Sequence, residues 1–364
     1  MTAARRPSAR PSARQSPQRE TDKTPIFARP AAKDVARLAG VSTATVSRTL
    51  NYPDRVDPET RDRVLKAASR LRYVPDGAAR SLRSRRSRMI GAVVPSFDYA
   101  LYARTTSALQ RRFDAHGYAM VLAEHHYDLA SETRVASQLI ERGVDAFVFV
   151  GLDHEPELFA MLEDYGRPYV LSWGVDPQRR HPSIGFDNEA ATRELTRQLV
   201  AMGHRRFGLL SAPLDGNDRA RARSAGVRAA LAEAGLGLED RWVRHAPISL
   251  LAAADAMRSI LSQARRPTAV IGTNDIFAVG AMIACREAGV GIPHEISIAG
   301  VDNTDLGATQ TPGLTSIRTP ISDIGDAAAA QLIARLEGSP FEAFREFPVE
   351  IVHRQSTAPL KRRG

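Results

Sequence analysis

Residues 33–51 read KDVARLAGVSTATVSRTLN, two apolar stripes of barely two turns each, joined at a single glycine, with hydroxyls crowding the second. Val35, Ala36, Leu38 and Ala39 recur at helical spacing, and Gly40 stands where a helix end adopts positive φ. Ser42 is a natural N-cap, and Val46 and Leu50 continue an apolar stripe four residues apart. Helices of under about 12 residues are marginal alone, so these two must pack on each other. A third is announced by residues 56–71, VDPETRDRVLKAASRL: Asp57 caps, Pro58 takes the first helical position, Glu59 favours the positive helix end, and Val64, Ala67, Ala68 and Leu71 face inward. Three short helices around a small apolar centre predict a helix-turn-helix module, whose second helix enters the DNA major groove by its N-terminal end.

The hydroxyls then have a use. Thr43, Ala44 and Arg48 share an outward face, where Arg pairs bidentately with guanine and the small pair meets thymine methyls. Ser42, Thr45, Ser47 and Asn51 flank them and are expected to bond phosphates. The alternative is an arbitrary polar face on a small helical domain. Charge favours DNA: residues 1–88 hold 21 Lys and Arg against 8 Asp and Glu, so in a chain of net charge +9 the remainder is acidic. A solvated face usually mixes signs. The run ARSLRSRRSR at 79–88 does not. No basic amphipathic helix with an aromatic face accompanies it, so nucleic acid is favoured over a membrane surface.

A chain of 364 residues, 43% hydrophobic and 25% charged, fits a globular protein of two or three domains. No apolar run approaches the roughly 18 residues of a spanning helix. The basic start has no apolar segment of a secretory signal and is expected to be a disordered arm rather than an organelle transit peptide. The single Cys285 permits no internal disulfide and fits a cytoplasmic location. The chain has no G-x-S-x-G elbow, phosphate loop or dinucleotide turn. His125 and His126 are expected on a strand, facing opposite ways, and His204 at a helix end, where a cation meets the negative pole. No catalytic residue, metal site or cofactor is therefore expected.

From residue 89 onward, short apolar runs at 89–95, 118–124, 144–151, 169–173, 206–212, 268–274 and 296–302 read as buried strands. Helical stretches at 102–116, 132–142, 189–202, 220–234, 252–263 and 277–288 separate most of them. Such alternation implies parallel sheets covered on both faces, here enough for two lobes. Ligands of doubly wound sheets bind outside the carboxyl ends of the strands. Those ends offer residues 96–102, Trp173, 216–223, 273–275 and 301–303, polar groups beside aromatic faces that suit a small hydroxylated ligand such as a sugar or nucleoside.

KDVARLAGVSTATVSRTLN followed by VDPETRDRVLKAASRLRYVPDGAARSLR resembles the headpiece and hinge of lactose-repressor (LacI/GalR) family regulators. The stretch PTAVIGTNDIFAVGAMIACREAGVGIPHEISIAGVDNTDLGATQTPGLTSI at 267–317 is similar to that family's C-terminal subdomain, and GHRRFGLLSAPLD at 203–215 to its inter-lobe region, so the resemblance covers nearly the whole chain. It implies a fold of α plus α/β class: a three-helix headpiece, a hinge helix, then two doubly wound parallel-sheet lobes like those of periplasmic binding proteins. Residues 1–29 become the basic arm, 30–75 the DNA-binding domain, 76–88 the hinge, 89–358 the effector-binding and dimerisation domain, and 359–364 a tail without leucine heptads.

By the same resemblance Thr43, Ala44 and Arg48 read bases, Leu82 wedges a central step from the minor groove, and Ala79 packs against its dimer mate. Asp76 and Gly77 depart from the family pattern, and a linker leucine resting on a domain surface is the other reading of Leu82. Arg223, Asn274 and Asp302 fall on effector-contacting positions, with Phe186 and Trp173 along the cleft. Their alternatives are a surface helix residue for Arg223, a helix cap for Asn274 and a turn for Asp302. Ser172-Trp173 replaces a frequent Asp-Arg pair, and Ile248 a frequent stacking aromatic, so the pocket is expected to be more apolar than usual. The function implied is a cytoplasmic, homodimeric repressor on a palindromic operator, controlled by a sugar-like effector. A solute-binding protein, or a sugar-modifying enzyme with an accessory DNA module, is the competing expectation.

Overall fold

The computed structural model describes residues 30–75, 86–98 and 100–360. The chain divides into two compact units, one ending at Ala79 and the other beginning at Arg80.

In the first unit, α1 (Ala32–Ala39), α2 (Thr43–Asn51) and α3 (Pro58–Arg70) form the three-helix module, with a 3-10 turn at Pro53–Arg55. Gly40 ends α1 at φ +66°, and the next amide, Val41 N–H, donates to the Ala36 carbonyl at 3.0 Å. A side chain with a Cβ would be strained in that conformation. Ser42 Oγ accepts from Thr45 N–H at 3.1 Å and starts α2. Asp57 caps α3 through Thr60 N–H at 3.0 Å, with Pro58 behind it. The core holds Val35, Ala36, Ala39, Val46, Val64, Ala67 and Ala68, with Val41, Leu50, Leu71 and Tyr73 packed around it. Each fully buried valine contributes roughly 1.5–3 kcal/mol. So small a core leaves little margin.

The second unit holds two six-stranded sheets. The first runs β11-β5-β4-β3-β1-β2, from β1 (Met89–Val94), β2 (Ala119–Glu124), β3 (Ala146–Val150), β4 (Tyr169–Ser172), β5 (Ser183–Gly185) and β11 (Phe344–Glu346). The second runs β12-β10-β9-β8-β6-β7, from β6 (Phe207–Ser211), β7 (Val243–His245), β8 (Ala269–Gly272), β9 (Ser297–Asp302), β10 (Thr315–Arg318) and β12 (Glu350–Val352). Neighbouring strands are parallel except β12, which lies antiparallel to β10. The chain crosses between lobes after β5, after β10 and between β11 and β12.

The covering helices follow the strands in order: α4 (Ala100–Ala115), α5 (Leu129–Glu141), α6 (Pro156–Asp164), α7 (Asn188–Ala201), α8 (Asp218–Glu233), α9 (Leu250–Leu261), α10 (Asp275–Glu287), α11 (Asp305–Ala308) and α12 (Ile321–Glu337). α12 returns to the first lobe and packs on α4. One continuous buried cluster joins Ile90, Val148 and Phe186 of the first lobe to Phe207, Ile271 and Val301 of the second. At the entrance to β1, the Asp145 carboxylate accepts from the amides of Ser87 (3.2 Å) and Arg88 (2.7 Å), which fixes where the chain enters the sheet.

Two expectations from sequence change here. β2, expected to be buried, is the edge strand, and Leu122 on it is exposed. His125 and His126 lie past the end of β2, where His126 and Tyr127 adopt positive φ, so strand alternation does not apply to them. The short strands β5, β7, β10, β11 and β12 and the helices α6, α11 and α12 were not separately foreseen.

Candidate functional site

On the headpiece, Ser42, Thr43, Ala44, Arg48 and Asn51 are exposed, while Thr45 and Ser47 are half-buried. Arg48 has no ion pair among the described residues, so its guanidinium is available to an incoming acceptor. The expected phosphate partners are already bonded to one another. Ser42 and Thr45 hydroxyls lie 2.9 Å apart, and Asn51 Nδ2 donates to the Ser47 carbonyl at 2.7 Å and to its Oγ at 3.3 Å. These bonds hold the side chains along one edge of α2, and a hydroxyl used as an acceptor still has a proton to offer. Thr49 is buried and bonds back to the Thr45 carbonyl. Ala79 and Leu82 lie outside the described residues, as does the arm at 1–29.

Between the lobes, the ends of β4, β6 and β8 converge on a cavity of about 30 Å³ lined by Tyr102, Tyr127, Trp173, Asn217, Arg219, Arg223, Ile248, Thr273 and Asn274 among others. That is room for about one water molecule. The cleft is shut.

Arg223, on α8, is its structural centre. Nε donates to Asn188 Oδ1 at 2.8 Å, Nη1 to the Thr273 carbonyl at 2.7 Å, Nη2 lies 3.5 Å from Asp302 Oδ1, and the guanidinium sits 5.8 Å from the Phe186 ring centroid. One buried cation thus joins the chain leaving β5, the end of β8 and the end of β9. Asn274 caps α10 through Phe277 N–H at 3.0 Å. Asp302 sits at φ +109° and is buried. Of the five effector positions inferred from sequence, Trp173, Arg223 and Asn274 line the cavity, whereas Phe186 and Asp302 stand behind Arg223.

Trp173 follows β4 at φ +73°, buried, with its ring 5.1 Å from that of Tyr102. The Asn188 amide holds its backbone carbonyl at 2.9 Å. Arg219, Tyr102, Asn217 and Thr273 were not singled out from sequence, although each lies in a strand-end segment. Tyr127 was not flagged at all. It reaches the site only because the loop after β2 bends back through two left-handed residues.

Arg219 crosses the cleft. Its Nη1 donates to Asp218 Oδ1 at 2.8 Å, and its guanidinium shares a hydrogen bond with the Tyr102 phenol of the first lobe. It lies against Gly151, at φ +100° after β3, where any Cβ would overlap the guanidinium. Burial pushes the Tyr102 phenol well above its usual range, only partly opposed by the Arg219 charge. Arg221 and Asp153 make an ion pair between the lobes.

Beneath Gly151, Glu132 is fully buried between two histidines. His154 Nδ1 lies 2.7 Å from Glu132 Oε2 and its Nε2 3.1 Å from the Gly151 carbonyl, while His125 Nε2 is 3.5 Å from Glu132 Oε1. Burial opposes charging His154, yet the Glu132 carboxylate raises it above the ordinary histidine range; His125 is lowered by burial. His204, expected at a helix end as a cation, is instead a buried ring past the end of α7, between Thr268 Oγ1 and the Ala358 carbonyl at 3.1 Å each, and burial lowers its pKa. Among the described residues no group of three His, Cys, Asp or Glu is placed to hold a metal ion, and no helix is long and apolar enough to cross a membrane.

Comparison with known proteins agrees with this geometry. Residues 32–76 match the profile described as bacterial regulatory proteins, lacI family, and residues 196–357 that of a periplasmic binding protein-like domain. The chain is 33% identical over 330 residues to the HTH-type transcriptional repressor PurR of Salmonella newport (strain SL254), spanning 90% of this chain and 96% of that protein. Among solved structures, a LacI-family transcriptional regulator from Silicibacter pomeroyi superposes with a TM-score of 0.83 at 26% identity, covering 90% of this chain and 99% of that one. The Lac repressor dimer bound to operator and the anti-inducer ONPF gives 0.80 at 27%, with the same coverage. The CelR–cellobiose complex gives 0.66 at 28%, covering 90% and 100%.

Proposed function

Because the chain belongs to the lacI family of bacterial regulatory proteins, DNA-binding transcriptional repressors with a ligand-binding domain, we propose that its operator affinity is set by a small hydroxylated effector taken between the two lobes. Members of this family bind operators as dimers and respond to small molecules. In this chain the proposed base readers are Thr43, Ala44 and Arg48, and the phosphate contacts are Ser42, Thr45, Ser47 and Asn51. Residues 30–75 are the DNA-binding domain, 76–88 a hinge in which Ala79 and Leu82 meet the minor groove, and 89–358 the effector domain. The protein works in the cytoplasm, on the operator.

The observation that carries the effector reading is Arg223, whose buried guanidinium ties the ends of β8 and β9 in the second lobe to the chain that crosses from β5 into α7. A ligand that competes for those bonds changes the junction between the lobes. It shifts operator affinity only if it binds the two lobe arrangements unequally. A cleft with room for about one water must open to admit it, so closed and liganded forms differ by construction.

Capture of the genomic DNA bound by the protein, followed by titration of metabolites of the neighbouring genes' pathways, tests this. Asp302→Ala is expected to lose the effector response and keep operator binding, because it removes the acid facing Arg223 and nothing in the headpiece. A full response in that variant removes Asp302 from the switch.

A further inference from the structure

Among the described residues, the cavity between the lobes is lined by two guanidinium groups and no carboxylate. Arg223 is committed to Asn188, Thr273 and Asp302. Arg219 is not committed to the same degree. It is only 6% exposed, and its bonds to Asp218 and the Tyr102 phenol use fewer N–H groups than a guanidinium carries. The asparagines lining the site, Asn217 and Asn274, both spend their side-chain oxygen as helix caps, which leaves their amide N–H groups to offer. The Trp173 indole Nε1 is buried and has no hydrogen-bond partner among the described residues. An indole N–H only donates, and a buried donor left unpaired is costly. The remaining polar lining is hydroxyl: Tyr102 and Tyr127, 3.2 Å apart, and Thr273, whose Oγ1 already donates to Ser211.

Donors therefore outnumber acceptors around the space a ligand would take. A neutral polyol needs acceptors for its hydroxyl protons, and this lining has few. An oxyanion needs only donors. The site is also built around Arg219, since Gly151 has no side chain where the guanidinium lies.

We propose that the effector carries an oxyanion, a carboxylate or a phosphoryl group on a small hydroxylated skeleton, received by the Arg219 guanidinium with the Trp173 indole N–H as second donor. This rests on the inter-lobe cleft being the effector site. Opening the cleft frees Arg219 from Tyr102, and the incoming anion replaces the phenol as its partner. Asp218, ion-paired with Arg219 at 2.8 Å, is not part of the lining. A planar guanidinium also favours the two-pronged geometry that carboxylates and phosphates accept.

The test uses the full-length protein and matched panels in which one skeleton is offered neutral, as a carboxylate and as a phosphate monoester: glucose with gluconate and glucose 6-phosphate, and the same sets built on other hexoses and pentoses. Binding is read by thermal shift and by tryptophan fluorescence. Anionic members are expected to bind where their neutral counterparts do not, with the carboxylate and phosphate arms separating the two sources. Arg219→Gln is expected to weaken the bound anion about ten- to hundredfold, the range for a charge-assisted hydrogen bond. Arg219→Lys should recover part of the loss. Trp173→Phe, which keeps a ring and deletes the donor, gives a second measure should Arg219→Gln fail to fold.

Neutral members binding as tightly as the anions, or an anion whose affinity is unmoved by Arg219→Gln, overturns the proposal. Arg223→Ala separates that failure from failure of the cleft reading. If only Arg223→Ala removes the ligand, the oxyanion assignment falls and the cleft stands. If neither variant matters, both fall.

Discussion

In the headpiece the buried side chains are apolar apart from Thr49, and the residues proposed to touch DNA lie on the surface of α2. In the lobes the order is reversed. Arg219, Arg223, Asp275, Asp302 and Glu132 are buried, and the proposed ligand contacts are among them. The physical reason lies in what each surface recognises. A duplex is large and rigid, and a helix face exposing donors can dock on it without first moving. A small molecule is gripped strongly only when water is excluded, so its partners must be desolvated, and desolvated charges must be paired before the ligand arrives. The lobes meet that cost with an internal ionic network that stands in for the ligand. The headpiece needs none.

Removing a buried carboxylate and stranding its donors should therefore cost most. Asp275, fully buried at the start of α10, accepts from Thr304 N–H at 2.6 Å, Thr304 Oγ1 at 2.8 Å and Ser316 Oγ at 2.5 Å. Asp275→Ala leaves those neutral donors without an acceptor and is expected to destabilise the lobes by about 3 kcal/mol, the cost of buried polar groups left unpaired. Urea melts of the full chain measure this, and Asp275→Asn should recover part. A loss below about 1 kcal/mol would mean the lobes tolerate an open network, and the contrast with the headpiece would collapse.

Arg48→Ala probes the other side of the contrast. Exposed and outside any ion pair among the described residues, Arg48 should contribute nothing to folding. Its removal is expected to weaken cognate operator binding by about 1–3 kcal/mol and to relax base preference at one position. Equal weakening on random duplexes would make it a phosphate contact instead. Ser42→Ala is smaller, about 1 kcal/mol of headpiece stability, because it removes the α2 cap seen at 3.1 Å. Headpiece melting should register it and lobe melting should not.

The same contrast explains what was legible in sequence. Gly40, Ser42, Asp57 and Pro58 are local signals, each acting within a few residues of itself, and they placed all three headpiece helices. In the lobes, apolar runs such as Phe207–Ser211 and Ser297–Asp302 announced their strands, but three-residue strands such as Ser183–Gly185 carry no periodicity to read. Arg223 and Asn274 came from family resemblance rather than from pattern. Arg219 lay within a strand-end segment without being singled out, and Tyr127 came from neither, since only the folded topology brings the loop after β2 against the start of α8. Ala79 and Leu82 lie outside the described residues.

His204 shows how tertiary packing overrides a local rule. A histidine after a helix end should gain a proton from the helix dipole, and sequence favoured that cation. The chain instead returns at residue 358 to cover the ring, and burial lowers its pKa although the Ala358 carbonyl opposes the shift. Here the folded state disfavours the proton and the unfolded chain does not, so the unfolded state binds more protons as pH falls. The stability the neutral ring contributes is full above its unfolded pKa, near 6.5, and is lost as pH drops through and below that value. Comparing urea melts of the wild type and His204→Gln between pH 8 and pH 5.5 should show the wild type's advantage shrinking below about pH 6.5. The effect is the smallest of the set, because one ring is involved and other histidines titrate in both variants alike. An advantage that grows on acidification would mean the ring carries its proton in the folded lobe, restoring the local rule over the packing.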